Sequence, residues 1–144
     1  MADVVERRTV AVQALAACEA LFWLVTAGIL LALVPFRHLF REIPPEAAAP
    51  NLAPDSQVLV ARVCEDLGRI AARLPWRPAC LPKALAGQLM CHVHGVFVPI
   101  ELSVVVGVPR FGAHARLASG TDAGCAATTP NGRRHLGLIV MAWL

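Results

Sequence analysis

The first apolar stretch of the chain runs from Thr9 to Val34 and reads as one long helix that Pro35 ends. From Glu42 to Pro54 the pattern stops. That segment carries Pro44, Pro45, Pro50 and Pro54 with no periodicity, and reads as a linker. Asp55 or Ser56 then offers a cap for a second helix reaching about Leu74, with Val60, Val63, Cys64, Leu67, Ile70 and Leu74 on one stripe. Glu65 and Arg69 stand four apart in the favourable order. Leu74-Pro75-Trp76-Arg77-Pro78 is a stiff extended turn, because residues before proline avoid the helical region. A third helix starts near Cys80 and ends at Gly95, with Leu81, Leu85 and Leu89 toward the core.

The period then changes from helical to strand-like. Ile100–Val108 is rich in β-branched residues and predicts a buried strand. Ala113–Ala118 predicts a second, Cys125–Thr129 a third and Leu136–Leu144 a last, separated by turn clusters at Ser119–Gly124 and Pro130–Gly132. Helices followed by an antiparallel meander make an α+β fold. A hairpin about Thr121 and Asp122 would set Thr128 and Thr129 opposite His114.

Composition narrows the choices. The chain has 144 residues, which favours one compact domain. Hydrophobic residues reach 57%, so a membrane, a partner surface or an unusually apolar helical layer must absorb the excess. Ala20–Phe36 holds no charge over 17 residues, the lower limit for a spanning helix, so a buried or partner-docked helix is favoured and membrane association stays open. Gln13, Glu19 and the lack of a small-residue cleavage pattern argue against a removed signal peptide. The net charge of +3, without a basic stripe interleaved with aromatics, argues against nucleic-acid binding. Five cysteines without framework spacing argue for reduced thiols and a cytoplasmic location.

Two residues carry candidate chemistry. Cys80 falls on the first turn of its helix, where uncapped N–H groups and the helix dipole favour negative charge on a nucleophile or oxyanion. His114 lies on a strand from a different part of the chain, as a base for a cysteine nucleophile must. Cys91 and His94 share a helix face, but no second ligand pair follows at zinc-site spacing, so no metal is expected. No P-loop, dinucleotide fingerprint or Gly-x-Ser-x-Gly elbow occurs, and no cofactor is expected.

Trp76-Arg77-Pro78-Ala79-Cys80-Leu81-Pro82-Lys83-Ala84-Leu85-Ala86, then Gly95, Leu102–Val108 and Ala113-His114-Ala115, resemble the leader peptidases of lasso-peptide biosynthesis. That family has a transglutaminase-like (papain-like) cysteine peptidase fold. The resemblance implies Cys80 as nucleophile and His114 as base. It also implies a precursor peptide as substrate, a separate leader-recognition protein and an ATP-dependent macrolactam cyclase as partners. Residues 1–43 would be an apolar helical segment, 44–54 the linker and 55–144 the peptidase core. The sequence departs from the family pattern after the histidine. Arg116 stands where the family has Trp, and Ala118 where it has an acid. Asp122 is the one acid beyond His114 and falls in a turn, so Thr128, Thr129 or Asn131 could orient the base, or a Cys-His dyad operates. The missing acid also motivates a non-catalytic partner of the precursor and cyclase as an alternative. The apolar helix motivates a small membrane-anchored protein.

Overall fold

The computed structural model describes residues 2–43, 52–105, 112–118 and 135–143. Helix α1 spans Ala2–Leu33. It begins well before the expected Thr9. No proline or glycine interrupts the first turns, and Asp3 and Glu6 suit the positive end of a helix dipole. Ala20, Leu24 and Ala27, spaced four and three apart, are buried where α1 meets α3 (Pro54–Arg73) and α4 (Cys80–Val93).

A four-residue helix α2 (Phe36–Leu39) leads into strand β1 (Phe40–Ile43), with Leu39 and Phe40 buried. Here the sequence reading is corrected. Glu42 and Ile43 had been assigned to the linker, but they form a strand paired with β4 (His135–Trp143), with Phe40 opposite Trp143 and Ile43 opposite Val140. A short strand carrying Arg41 and Glu42 has little strand signal of its own. Its partner, about a hundred residues away, supplies the hydrogen bonds.

Helix α3 is not capped by Asp55 or Ser56. Its N-cap is Ala53, Pro54 occupies the first helical turn, and Asp55 stands beside the dipole. Of the anticipated stripe, Val60, Val63 and Leu67 are buried and Cys64, Ile70 and Leu74 partly buried, with Ala71 buried beside them. Arg69 reaches Glu65 at 2.7 Å and Asp66 at 3.4 Å, exposed pairs that contribute little to stability. Cys64 is disulfide-bonded, which corrects the expectation of reduced thiols throughout.

Helix α4 ends in a Schellman motif. The N–H of Val96 donates to the Cys91 carbonyl at 2.8 Å and the N–H of Gly95 to that of His92 at 2.9 Å. This requires the left-handed φ of 78° that Gly95 adopts. Along the helix, Ala84 to Cys91 are all buried. Gly87 lets α4 close on its neighbours: a Cβ there would sit 2.8 Å from Leu117 Cδ1 and 3.3 Å from Leu67 Cδ1. Gln88 Nε2 donates to the Val98 carbonyl at 2.9 Å and ties the helix to the segment entering the sheet.

The sheet is antiparallel, in the order β1-β4-β2-β3, with β2 at Ile100–Val105 and β3 at Gly112–Leu117. It is not the meander read from sequence. The last strand passes β3 and inserts between β2 and β1, so among the described residues β3 lies at an edge. The expected third strand, Cys125–Thr129, and both of its turns lie outside the described residues. Helices together with a small antiparallel sheet make the α+β architecture expected.

Candidate active site

Cys80 is the first residue of α4. A turn sets it there: the N–H of Arg77 donates to the Leu74 carbonyl at 3.3 Å, across Pro75 and Trp76. Arg77 then adopts a φ of 38°, the left-handed region that a side chain with a Cβ rarely enters. Pro78 and Ala79 carry the extended chain into the helix. No side chain caps the helix at Ala79, and the first turn holds no acid. The first helical bond runs from the Lys83 N–H to the Ala79 carbonyl at 3.4 Å. Cys80 is half-buried, and it forms no disulfide. A half-buried thiol at an uncapped helix N-terminus has the geometry of a cysteine nucleophile, with backbone N–H groups beside it to stabilise an oxyanion.

His114 lies at the middle of β3, in register with Ser103 of β2. The pleat divides the two strands. Leu117 and Ile100 are paired and buried, as is Ala115 opposite the partly buried Leu102, and Leu117 packs onto α4 at Gly87. The alternate positions hold His114 and Arg116, and Arg116 faces its register partner Glu101. Side chains on a strand alternate between faces, and exposure alternates with them: Ala115 and Leu117 are buried, His114 and Arg116 half-buried. β3 is an edge among the described strands, and α4 packs against it. His114 is half-buried, with Nε2 shielded from solvent. Asp122, Thr128, Thr129 and Asn131, the residues considered for orienting the base, lie outside the described residues.

The sequence reading missed one contact beside His114. Arg116 Nε and Nη2 both donate to Glu101 Oε2, at 2.9 and 2.8 Å. Thus the position that departs from the leader-peptidase pattern holds half of a cross-strand ion pair. The pairing of β2 with β3 sets Glu101 opposite Arg116, a register that neither residue marks by itself. Two other residues are separated by the structure. Cys91 is fully buried, and desolvation pushes its thiol from 9.0 up to about 11. His94 instead meets Glu19 of α1, with 3.2 Å between Nε2 and Oε1. No group of three metal-ligating side chains occurs among the described residues.

The family model of the transglutaminase-like superfamily matches residues 21–123, more than two thirds of the chain. The chain belongs to the transglutaminase-like superfamily. No curated protein and no solved structure matches it. The superfamily includes cysteine peptidases. The match takes in both Cys80 and His114 and starts within α1, so the second half of that helix is part of the transglutaminase-like domain.

Proposed function

We propose that this transglutaminase-like protein is a cysteine endopeptidase that removes the leader from a ribosomally made lasso-peptide precursor. The observation that carries the reading is the position of Cys80 as the uncapped first residue of α4, inside a transglutaminase-like domain whose β3 bears His114. In this mechanism His114 accepts the thiol proton and Cys80 Sγ attacks the carbonyl at the leader–core junction. Backbone N–H groups of the first α4 turn face the oxyanion that forms. His114 returns the proton to the leaving amine of the core peptide, and water hydrolyses the remaining thioester. The freed amine is the nucleophile that an ATP-dependent cyclase needs for macrolactam closure. In this reading a separate leader-recognition protein delivers the precursor. The reaction needs no cofactor or metal.

The test is cleavage of a precursor peptide with the recognition protein present. Cys80→Ala and His114→Ala abolish cleavage, whereas Cys18→Ala, on the exposed side of α1, retains it. Full activity in Cys80→Ala sinks the reading. A wild-type chain that binds the precursor without cutting it establishes the second reading, a non-catalytic partner of precursor and cyclase. The Glu101–Arg116 pair favours that alternative, since it occupies the position where the family carries Trp.

A further inference from the structure

We infer that the outer face of α1 docks in the plane of a lipid bilayer. Leu15, Cys18, Phe22, Val25, Ile29 and Leu33 recur at intervals of three, four or seven and are all exposed, Leu15 at 71% and Leu33 at 76%. The stripe lies opposite Ala20, Leu24 and Ala27, which are buried in the protein's own core. A helix whose inner face is held by α3 and α4 cannot cross a membrane without carrying those helices into it. It can lie on one, with its apolar side at the headgroup–acyl boundary. Val10–Leu33 is long and apolar enough to span by composition, yet only 17% of its most apolar window is buried.

Three observations select lipid over protein. Among the described residues the stripe carries no charged side chain. Thr26 Oγ1 donates to the Phe22 carbonyl at 2.8 Å, Glu19 is held by His94, and Gln13 lines a cavity against α3. A protein partner's interface is ordinarily laced with direct hydrogen bonds, whereas a bilayer interior demands that no donor stay open. The stripe is also narrow. A single helix face of this length measures roughly 36 Å by 10 Å, well short of the ~800 Å² per partner in a stable dimer. Finally, Arg37 and Arg41 follow the stripe and are exposed, and Arg7 and Arg8 precede it in sequence. Asp3, Glu6 and Glu42 stand near the same ends. Apolar insertion therefore drives binding, and anionic lipid strengthens it modestly.

The full chain is mixed with vesicles of phosphatidylcholine, with and without one third phosphatidylglycerol, and floated through a density gradient. The protein is expected to float with both, more completely with the anionic vesicles. Maleimide labelling of Cys18, read by peptide mass spectrometry, should fall severalfold on binding, because the thiol lies on the inserted stripe. Phe22→Glu with Ile29→Glu should keep the native circular dichroism, since both side chains are exposed, and lose about tenfold or more of the floated fraction. Failure of a monodisperse wild-type chain to float, or unchanged Cys18 labelling with vesicles, overturns the inference. A dimer by light scattering that the two glutamates dissociate overturns it in favour of a second copy. None of these outcomes depends on catalysis, so they stand apart from the test of Cys80.

Discussion

Arg77 shows how a single backbone angle can escape a sequence reading. The run Leu74–Pro78 announced a stiff turn through its prolines, and the turn is there. What the prolines did not announce is the left-handed φ at Arg77, because glycine and asparagine are the usual markers of that region and neither is present. The conformation costs an ordinary residue about 1–2 kcal/mol, held by the turn behind it and α4 ahead. Arg77→Gly relieves the strain but frees the unfolded chain, and should leave stability unchanged or raise it by up to ~1 kcal/mol. Arg77→Val, with a β-branched side chain, should lower it by about 1–3 kcal/mol. Urea denaturation separates the two variants, and equal midpoints for valine and glycine would show that the turn relaxes freely. Cys80 was legible because proline, helix start and cysteine coincide within a few residues. The Arg116–Glu101 pair was not read, because it depends on strand register rather than on either residue alone.

Among the elements, the long helices were legible and the sheet order was not. α3 carries its own buried stripe and α4 its own terminating glycine, whereas the start of α1 and the short α2 were not marked by any local signal. Strand β1 is short and charged, and it exists because β4 is beside it. The insertion of β4 between β1 and β2 is likewise a long-range choice that no local pattern encodes. Where an element depends on a close approach, one residue tests it. Gly87 stands where α4 lies against Leu117 and Leu67, both nearly without solvent exposure. Alanine suits a helix interior better than glycine by about 0.8–1 kcal/mol, so on an open surface Gly87→Ala would stabilise. Here the added methyl meets Leu117 Cδ1 at 2.8 Å, closer than a packed core allows. Overpacking of this kind costs about 1–3 kcal/mol. Gly87→Ala should therefore lower stability by about 0–2 kcal/mol despite its helix propensity. A gain near 1 kcal/mol by urea denaturation would mean that Leu117 swings aside without cost.

At the scale of the molecule, the decisive question is whether α1 belongs to the fold or is appended to it. An apolar run near the start of a chain has the same appearance in a signal sequence, a membrane span and a core helix, because composition alone does not say which side of a helix is covered. The structure divides the run by face: Leu24 is buried at 3% exposure between α3 and α4, whereas Ile29, little more than one turn later, is 51% exposed. The two residues are isomers, so truncation to alanine removes the same atoms and isolates the effect of environment. Leu24→Ala removes a packed side chain from the centre of the core and should cost about 2–5 kcal/mol. Ile29→Ala removes a solvent-facing one and should change stability by no more than about 0.5 kcal/mol. Denaturation of the detergent-free full chain, followed by tryptophan fluorescence, measures both on one scale, and Trp23 on the same helix reports the transition locally. If α1 were an appended segment, the two substitutions would give the same small change. A cost confined to Leu24→Ala makes α1 a structural part of the transglutaminase-like domain, and leaves its outer face available for lipid.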